Sequence, residues 1–265
     1  MSSRSRNWPA STRDSASAVA VSEEGGVRFL HIGGDAIQSA MRLARPDWLE
    51  LHYNRAMMAF LLFHPAPRRV LMVGLGGGSM ARFLHRSYPR CHVTAVELNP
   101  EVLAAARRYF DLPPDGPRFA TVLEDGAAWV DAHPGSADVL LLDAFDDGRQ
   151  VQALCSPAFY TAAFEVLGEQ GVLAQNFMSD DDRVDVYAER IAQAFGRDVV
   201  LLQAADRVNT IVFAFKGGRG RIAWSMLRER AQALAGKFDL PGEHYLAALK
   251  RSVPREDARL AYFSY

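Results

Sequence analysis

Two kinds of residue in this chain are spaced for chemistry: glycines that let a backbone approach a ligand, and carboxylates that follow short apolar runs. The glycines form Gly74-Leu75-Gly76-Gly77-Gly78, directly behind Val70-Leu71-Met72-Val73. Glycine in such a turn allows close backbone approach and leaves amides open at a helix start. Gly74, Gly76 and Gly78 follow a GxGxG spacing, and Ser79 stands where GxGxxG has its third glycine. The carboxylates are Glu97 after His92–Val96, Glu124 and Asp125 after Phe119–Leu123, and Asp143, Asp146 and Asp147 after Ala137–Leu142. Glu97 lies 23 residues beyond Gly74, where an acid commonly accepts from ribose hydroxyls. Asp125 is placed to accept from an adenine amino group, or simply to cap the helix that follows. Together these residues predict an adenosine-type ligand. An acidic rim also suits a cation, and two adenosine ligands carry one: sulfonium donors and oxidised nicotinamide.

Bland roles compete at several of these positions. A carboxylate such as Asp143 at the end of an apolar strand needs hydrogen-bond partners in any role. Asp146 and Asp147 also read as loop solvation. Asp180-Asp181-Asp182 reads as a helix start complementing the dipole, and Met57-Met58 as core.

Elements that would position these residues alternate along the chain. Residues 70–73, 92–97, 119–123, 137–142 and 171–175 read as strands, separated by helices at 80–87, from Asn99-Pro100 onward, 125–132 and 156–167. Apolar runs of about five residues between helices indicate a parallel sheet covered on both faces. A helix over 182–195, strands at 199–203 and 210–215 and helices at 222–235 and 244–250 complete the pattern. The expected fold is α/β: a doubly wound, mostly parallel seven-stranded sheet of methyltransferase-like Rossmann type. Ligands of such sheets bind outside the carboxyl ends of the strands, at the switch point. That is where the glycines and acids stand. Ahead of the sheet, residues 47–63 read as mostly helical, and residues 18–39 as short hairpins that cannot stand alone in water. They are expected to lie against the main domain or another subunit. The expected organisation is a disordered tail over 1–15, a short N-terminal β region over 16–45 and a catalytic domain over 46–265.

Composition excludes several classes. The 265 residues are 49% hydrophobic and 23% charged with a formal net charge of −1, so nothing global points to nucleic acid or an anionic membrane. No apolar run reaches transmembrane length, and the Ser/Arg-rich N-terminus lacks a signal-peptide core. Cys91 and Cys155 are isolated and the seven histidines scattered, which fits a reducing cytoplasm and argues against a structural metal.

The stretches Val70–Gly78, Val96-Glu97-Leu98-Asn99-Pro100, Glu124-Asp125-Gly126 and Leu141–Asp146, in this order, resemble the spermidine synthase (polyamine aminopropyltransferase) family. Ser156-Pro157-Ala158-Phe159-Tyr160 and Gly168–Leu173 continue the likeness. Upstream, Gly34-Asp35-Ala36-Ile37-Gln38-Ser39 resembles the family's DGxxQ stretch. The resemblance spans roughly Val27 to Gly217. It implies a place in polyamine biosynthesis and a donor, decarboxylated S-adenosylmethionine, held by Gly74, Gly76, Gly78, Glu97, Leu98, Glu124, Asp125 and Gly126. It implies Asp143 as proton acceptor, Asp146, Gln38, Tyr53 and Tyr160 around a small amine substrate, no metal, and a homodimer formed through the N-terminal hairpins. The sequence departs from the family at Gly77, where an acid is usual, at the Tyr-His-Glu entrance motif, here around His52-Tyr53-Asn54-Arg55, and at Asp147, where a proline is usual. The N-terminal region is also short.

The implied reaction is attack by a neutral amine on a carbon next to a sulfonium, with Asp143 taking the proton. Residues 147–155 have the composition of a gating loop. The same sheet and glycines would serve an S-adenosylmethionine-dependent methyltransferase, which is the alternative. A nicotinamide-dependent dehydrogenase is disfavoured by Ser79 and the acids after residue 142, and a non-catalytic adenosine-binding relative would keep the fold without turnover.

Overall fold

A computed structural model describes residues 18–34, 36–146, 149–196, 199–217, 220–252 and 261–264. The expected tail over 1–15, Asp35 and Asp147 lie outside these residues.

The chain opens with three antiparallel strands, β1 (Val19–Glu24), β2 (Val27–Ile32) and β3 (Ile37–Arg42), in the order β1-β2-β3. A short helix, α1 (His52–Met57), and a 3-10 turn over Met58–Leu62 follow. The helix expected over 47–63 is therefore shorter. Its first residues are held in turns instead: the Trp48 amide donates to Arg45, and the Trp48 ring lies between the guanidinium groups of Arg45 and Arg55.

The alternating region follows as the spacing predicts. It runs β4 (Arg69–Val73), α2 (Ser79–Ser87), β5 (His92–Glu97), α3 (Pro100–Tyr109), β6 (Phe119–Leu123), α4 (Gly126–Ala132) and β7 (Ala137–Leu142). Asn99 caps α3 by accepting from the Glu101 amide at 2.9 Å, with Pro100 in the first helical position. Two antiparallel strands of two residues each, β8 (Phe145–Asp146) and β9 (Arg149–Gln150), and a 3-10 turn over Gln152–Cys155 come next. The described part of the segment read as a gating loop, residues 149–155, thus carries structure of its own, with Leu154 and Cys155 buried.

Then come α5 (Pro157–Val166), β10 (Leu167–Met178), α6 (Val184–Phe195), β11 (Val200–Gln203) and β12 (Asn209–Phe215). Strand β10 exceeds its predicted five residues because Leu167 already pairs with Ala137 of β7 and pairing with β12 continues past Gln175 to Met178. Helix α6 begins after the acidic run rather than within it: Asp181 accepts from the Arg183 amide and guanidinium in a local turn. The described chain ends with β13 (Arg221–Ala223), α7 (Trp224–Phe238), α8 (Gly242–Ser252) and β14 (Tyr262–Ser264); neither β13 nor β14 is expected from the sequence, and the helix expected from residue 222 starts at Trp224 because residues 221–223 pair with β14.

The central sheet has seven strands in the order β11-β12-β10-β7-β4-β5-β6. Strand β12 runs antiparallel to both its neighbours, and the other pairs are parallel. Successive side chains of a strand face opposite layers. Accordingly Val70 and Met72 of β4 pack with Met80, Phe83 and Leu227, whereas Leu71 and Val73 pack with Val130, Phe159 and Ile191. Both faces are covered, so the strands are apolar without alternation. The N-terminal sheet docks on α3, where Leu30 and Met41 bury against Val102, Ala105 and Phe110. The main domain is therefore one place on which these strands rest.

The chain crosses from one side of β4 to the other between β6 and β7. Strands β4 and β7 are neighbours, so the switch point lies between Gly74 and Asp143.

Candidate active site

Strand β4 ends at a turn whose shape the glycines determine. Gly74 has φ +90° and its amide donates to the Val96 carbonyl at 2.9 Å. A β-carbon on Gly74 would collide with the Asp143 backbone carbonyl, so only glycine lets β4 and β7 end side by side. Glu97, at the end of β5, ties the turn to the next element: one carboxylate oxygen accepts from the Leu75 amide at 3.0 Å, the other from the Asn99 amide at 2.9 Å. Each oxygen retains a further lone pair for a ligand hydroxyl. Asp125 caps α4, accepting from the Ala128 amide at 2.9 Å through Oδ1. Capping and ligand contact are compatible, because one carboxylate has two oxygens.

Behind the turn stands a residue the sequence reading missed. Arg82 of α2 is fully buried, and its guanidinium donates to the carbonyls of Pro46 at 2.8 Å, Gly77 at 2.5 Å and Phe110 at 2.5 Å. Among the described residues it has no carboxylate within ion-pair distance. Burial lowers its pKa to about 10, which leaves it charged at neutral pH. A lone arginine one turn into a helix carries no sequence signal for such a role; its usual reading is a solvated face.

Ser39 of β3 accepts from the Gly77 amide at 2.8 Å. A β-carbon on Gly77 would stand 2.9 Å from the Phe110 ring and 3.0 Å from the Ser39 β-carbon. The place where the resembling family carries an acid is thus filled from the N-terminal sheet and the end of α3.

A cleft of about 780 Å³ opens above these strand ends. Gly74, Gly76, Glu97, Leu98, Asp125 and Gly126 line it, as do Gln38, Tyr53 and Asp143. Gly78, Glu124 and Tyr160 do not line it. Gly78 instead caps α2 in a left-handed conformation, and Glu124 is exposed to solvent. The Tyr160 ring is fully buried behind the sheet beside Cys155 and Gln175, where burial pushes its phenol pKa up. A tyrosine on an amphipathic helix does not announce which layer its ring enters. Asp146 has its backbone in β8, and its side chain lies outside the described residues.

Asp143 is open to the cleft on one face and enclosed by protein on the others. Burial raises its pKa to about 6, against two hydrogen bonds that stabilise the charge, from Asn176 and Tyr53. Asn176 Nδ2 donates to Asp143 Oδ1 at 2.9 Å. The Tyr53 hydroxyl sits between two acceptors, the Asp143 carboxylate and the Gln38 carbonyl, the latter at 3.1 Å. Burial and the charge of Asp143 hold the Tyr53 phenol well above its ordinary range. Asn176, Met178, Asp206 and Val208 also line the cleft. None was singled out from sequence, because β10 and the β11–β12 turn reach the site only through sheet order.

The chain matches the spermine/spermidine synthase domain over residues 50–190. It is 41% identical over 234 residues to the polyamine aminopropyltransferase of Chromobacterium violaceum, covering 88% of this chain and 90% of that protein. A probable spermidine synthase from Corynebacterium glutamicum shares the fold with a TM-score of 0.71 at 21% identity, over 89% of this chain and 88% of that one. A spermidine synthase in complex with the transition state analogue AdoDATO does so with a TM-score of 0.69 at 21% identity, over 96% and 85%. The matched segment contains the glycine turn, Glu97, Asp125 and Asp143, and on this ground the chain belongs to the spermine/spermidine synthase family.

Proposed function

We propose that this protein transfers an aminopropyl group from decarboxylated S-adenosylmethionine to a small amine such as putrescine. The observation that carries the reading is Asp143, a carboxylate with a pKa raised to about 6, on the wall of the cleft that also holds the glycine turn and Glu97. The donor supplies a carbon activated by a neighbouring sulfonium.

The chain's own residues do the rest. A primary alkyl amine resembles lysine, with a pKa of about 10.4, and arrives protonated at neutral pH. Asp143 attracts that cation and takes its proton, leaving the nitrogen lone pair free to attack the carbon beside the sulfonium; the C–N bond forms as the C–S bond breaks, and methylthioadenosine leaves as the neutral thioether. A base with a pKa of about 6 is ionised at neutral pH, and it holds a proton better than an ordinary aspartate does. Met178 and Val208 offer apolar surface to the methylene chain of the amine. Glu97 receives the ribose hydroxyls of the donor, and Asp125, Leu98 and Gly126 its adenine end. Residues 46–265 act as the catalytic domain. Residues 16–45 supply Gln38 and Ser39 to it and form the contact of a cytoplasmic homodimer. The substrate is a small molecule rather than a nucleic acid or a membrane. Among the described residues no helix is long and apolar enough to cross a bilayer.

The test is a product assay. With decarboxylated S-adenosylmethionine and putrescine, the protein should release methylthioadenosine and spermidine in equal amounts. Release of S-adenosylhomocysteine from S-adenosylmethionine, with no methylthioadenosine from the decarboxylated donor, would overturn it.

A further inference from the structure

Asn176 stands on β10, beside β7, and is 2% exposed. Its side-chain Nδ2 donates to Asp143 Oδ1 at 2.9 Å. An ionised carboxylate only accepts, so the amide must turn its NH2 group toward Asp143. Its backbone carbonyl accepts from Gln150 Nε2 at 2.5 Å, and Gln150, on β9, is itself buried. One residue of the sheet therefore contacts both the carboxylate and Gln150 of β9. Asn176 pairs with Ile211 of β12 and shares a face of β10 with Ala174, both in the apolar core, where a buried polar side chain is costly unless it is hydrogen-bonded. Among the described residues its one side-chain hydrogen bond is the Nδ2 contact to Asp143, and Oδ1 is buried with no partner.

We infer that Asn176 is a positioning residue: it fixes the orientation of the Asp143 carboxylate toward the cleft, and through its backbone carbonyl it also holds Gln150 of β9. This rests on the reading of Asp143 as proton acceptor. Of the two hydrogen bonds that favour the charged form of Asp143, that from Asn176 has the larger effect. Among the described residues, the titratable groups facing the same cleft are His52 and Tyr53 from α1, Glu97 after the glycine turn, Glu101 on α3, Asp125 before α4 and Asp206 between β11 and β12. Of these, Tyr53 is the one that hydrogen-bonds Asp143.

The experiment reads Asp143 directly and through turnover. The Asp143 carboxyl is titrated by 13C NMR in the free protein, and kcat/KM is followed against pH, for wild type, Asn176→Ala and Asn176→Asp. In the alanine variant the carboxyl titration and the acidic limb of kcat/KM should both move up by about one pH unit, since a hydrogen bond to a charged group is lost. Asn176→Asp keeps the shape, places a second carboxylate against the first, and should move both further. Affinity for the donor, by calorimetry, should stay within about twofold, because the glycine turn is untouched. A role confined to strand packing would lower activity equally at every pH and leave both titrations in place. An unmoved titration in either folded variant overturns the inference. Absence of methylthioadenosine from the wild type would instead sink the proposed activity, and the NMR titration would still decide the role of Asn176.

Discussion

The backbone carbonyl of Asp143 occupies the space where a β-carbon on Gly74 would stand. The first glycine of the turn and the proposed proton acceptor are thus parts of one packing arrangement, made where β4 and β7 end side by side. Gly74→Ala should destabilise the protein on the order of 3 kcal/mol, from the strained φ and the overlap together. Chemical denaturation gives the stability, and calorimetric titration should show donor binding lost as well. An alanine variant with native stability would mean that the two strand ends are farther apart than described.

Asp143 gives a pH dependence with a definite sign. Its folded pKa, about 6, lies above that of an unfolded aspartate. Between the two values the folded state binds more protons than the unfolded one. The contribution of Asp143 to stability is therefore greatest at low pH and declines as pH rises through about 6. Turnover runs the other way: kcat/KM should fall below about pH 6, where the base becomes protonated. Asp143→Asn should lower kcat about 10²–10⁴-fold while leaving donor binding intact. The same variant should melt higher than wild type at pH 8, and the gap should close toward pH 5. Thermal melts at the two pH values, paired with the product assay, check both halves. Unchanged turnover would rule out the role of Asp143.

Glu97 uses both oxygens on backbone amides of Leu75 and Asn99. Glu97→Gln keeps one acceptor and turns the other into a donor facing an N–H group. One of those amides then goes unpaired, at a cost of about 1–3 kcal/mol. The donor should bind about tenfold more weakly or worse, whereas free adenine should be much less affected. Titration with both ligands separates the two.

Arg82 satisfies carbonyls from three separate segments, at Pro46, Gly77 and Phe110. Arg82→Met matches the volume, adds no polar atom and strands those carbonyls. The expected loss is on the order of 3 kcal/mol by denaturant unfolding. Arg82→Lys reaches fewer of them and should fall between methionine and wild type. If methionine were as stable as arginine, the guanidinium would be replaceable by apolar packing, as some buried charges are.

What the sequence alone determined is the alternation of elements and the residues at the strand ends. Apolar runs such as 70–73 and 137–142 have one stable environment, a sheet covered on both sides, and Gly74 and Asn99-Pro100 mark boundaries by backbone rules that act locally. Glu97 and Asp143 were legible for the same reason: a charge at the end of an apolar run must face something other than core. Tertiary structure decided which of these residues meet. Sheet order brings β10 beside β7, so that Asn176 reaches Asp143 across 33 positions of chain. It places the β11–β12 turn at the cleft, sends the Tyr160 ring into the core, and closes Arg82 under the glycine turn. No local pattern encodes such contacts, because they depend on which strands become neighbours and on the space left between layers once both faces of the sheet are packed.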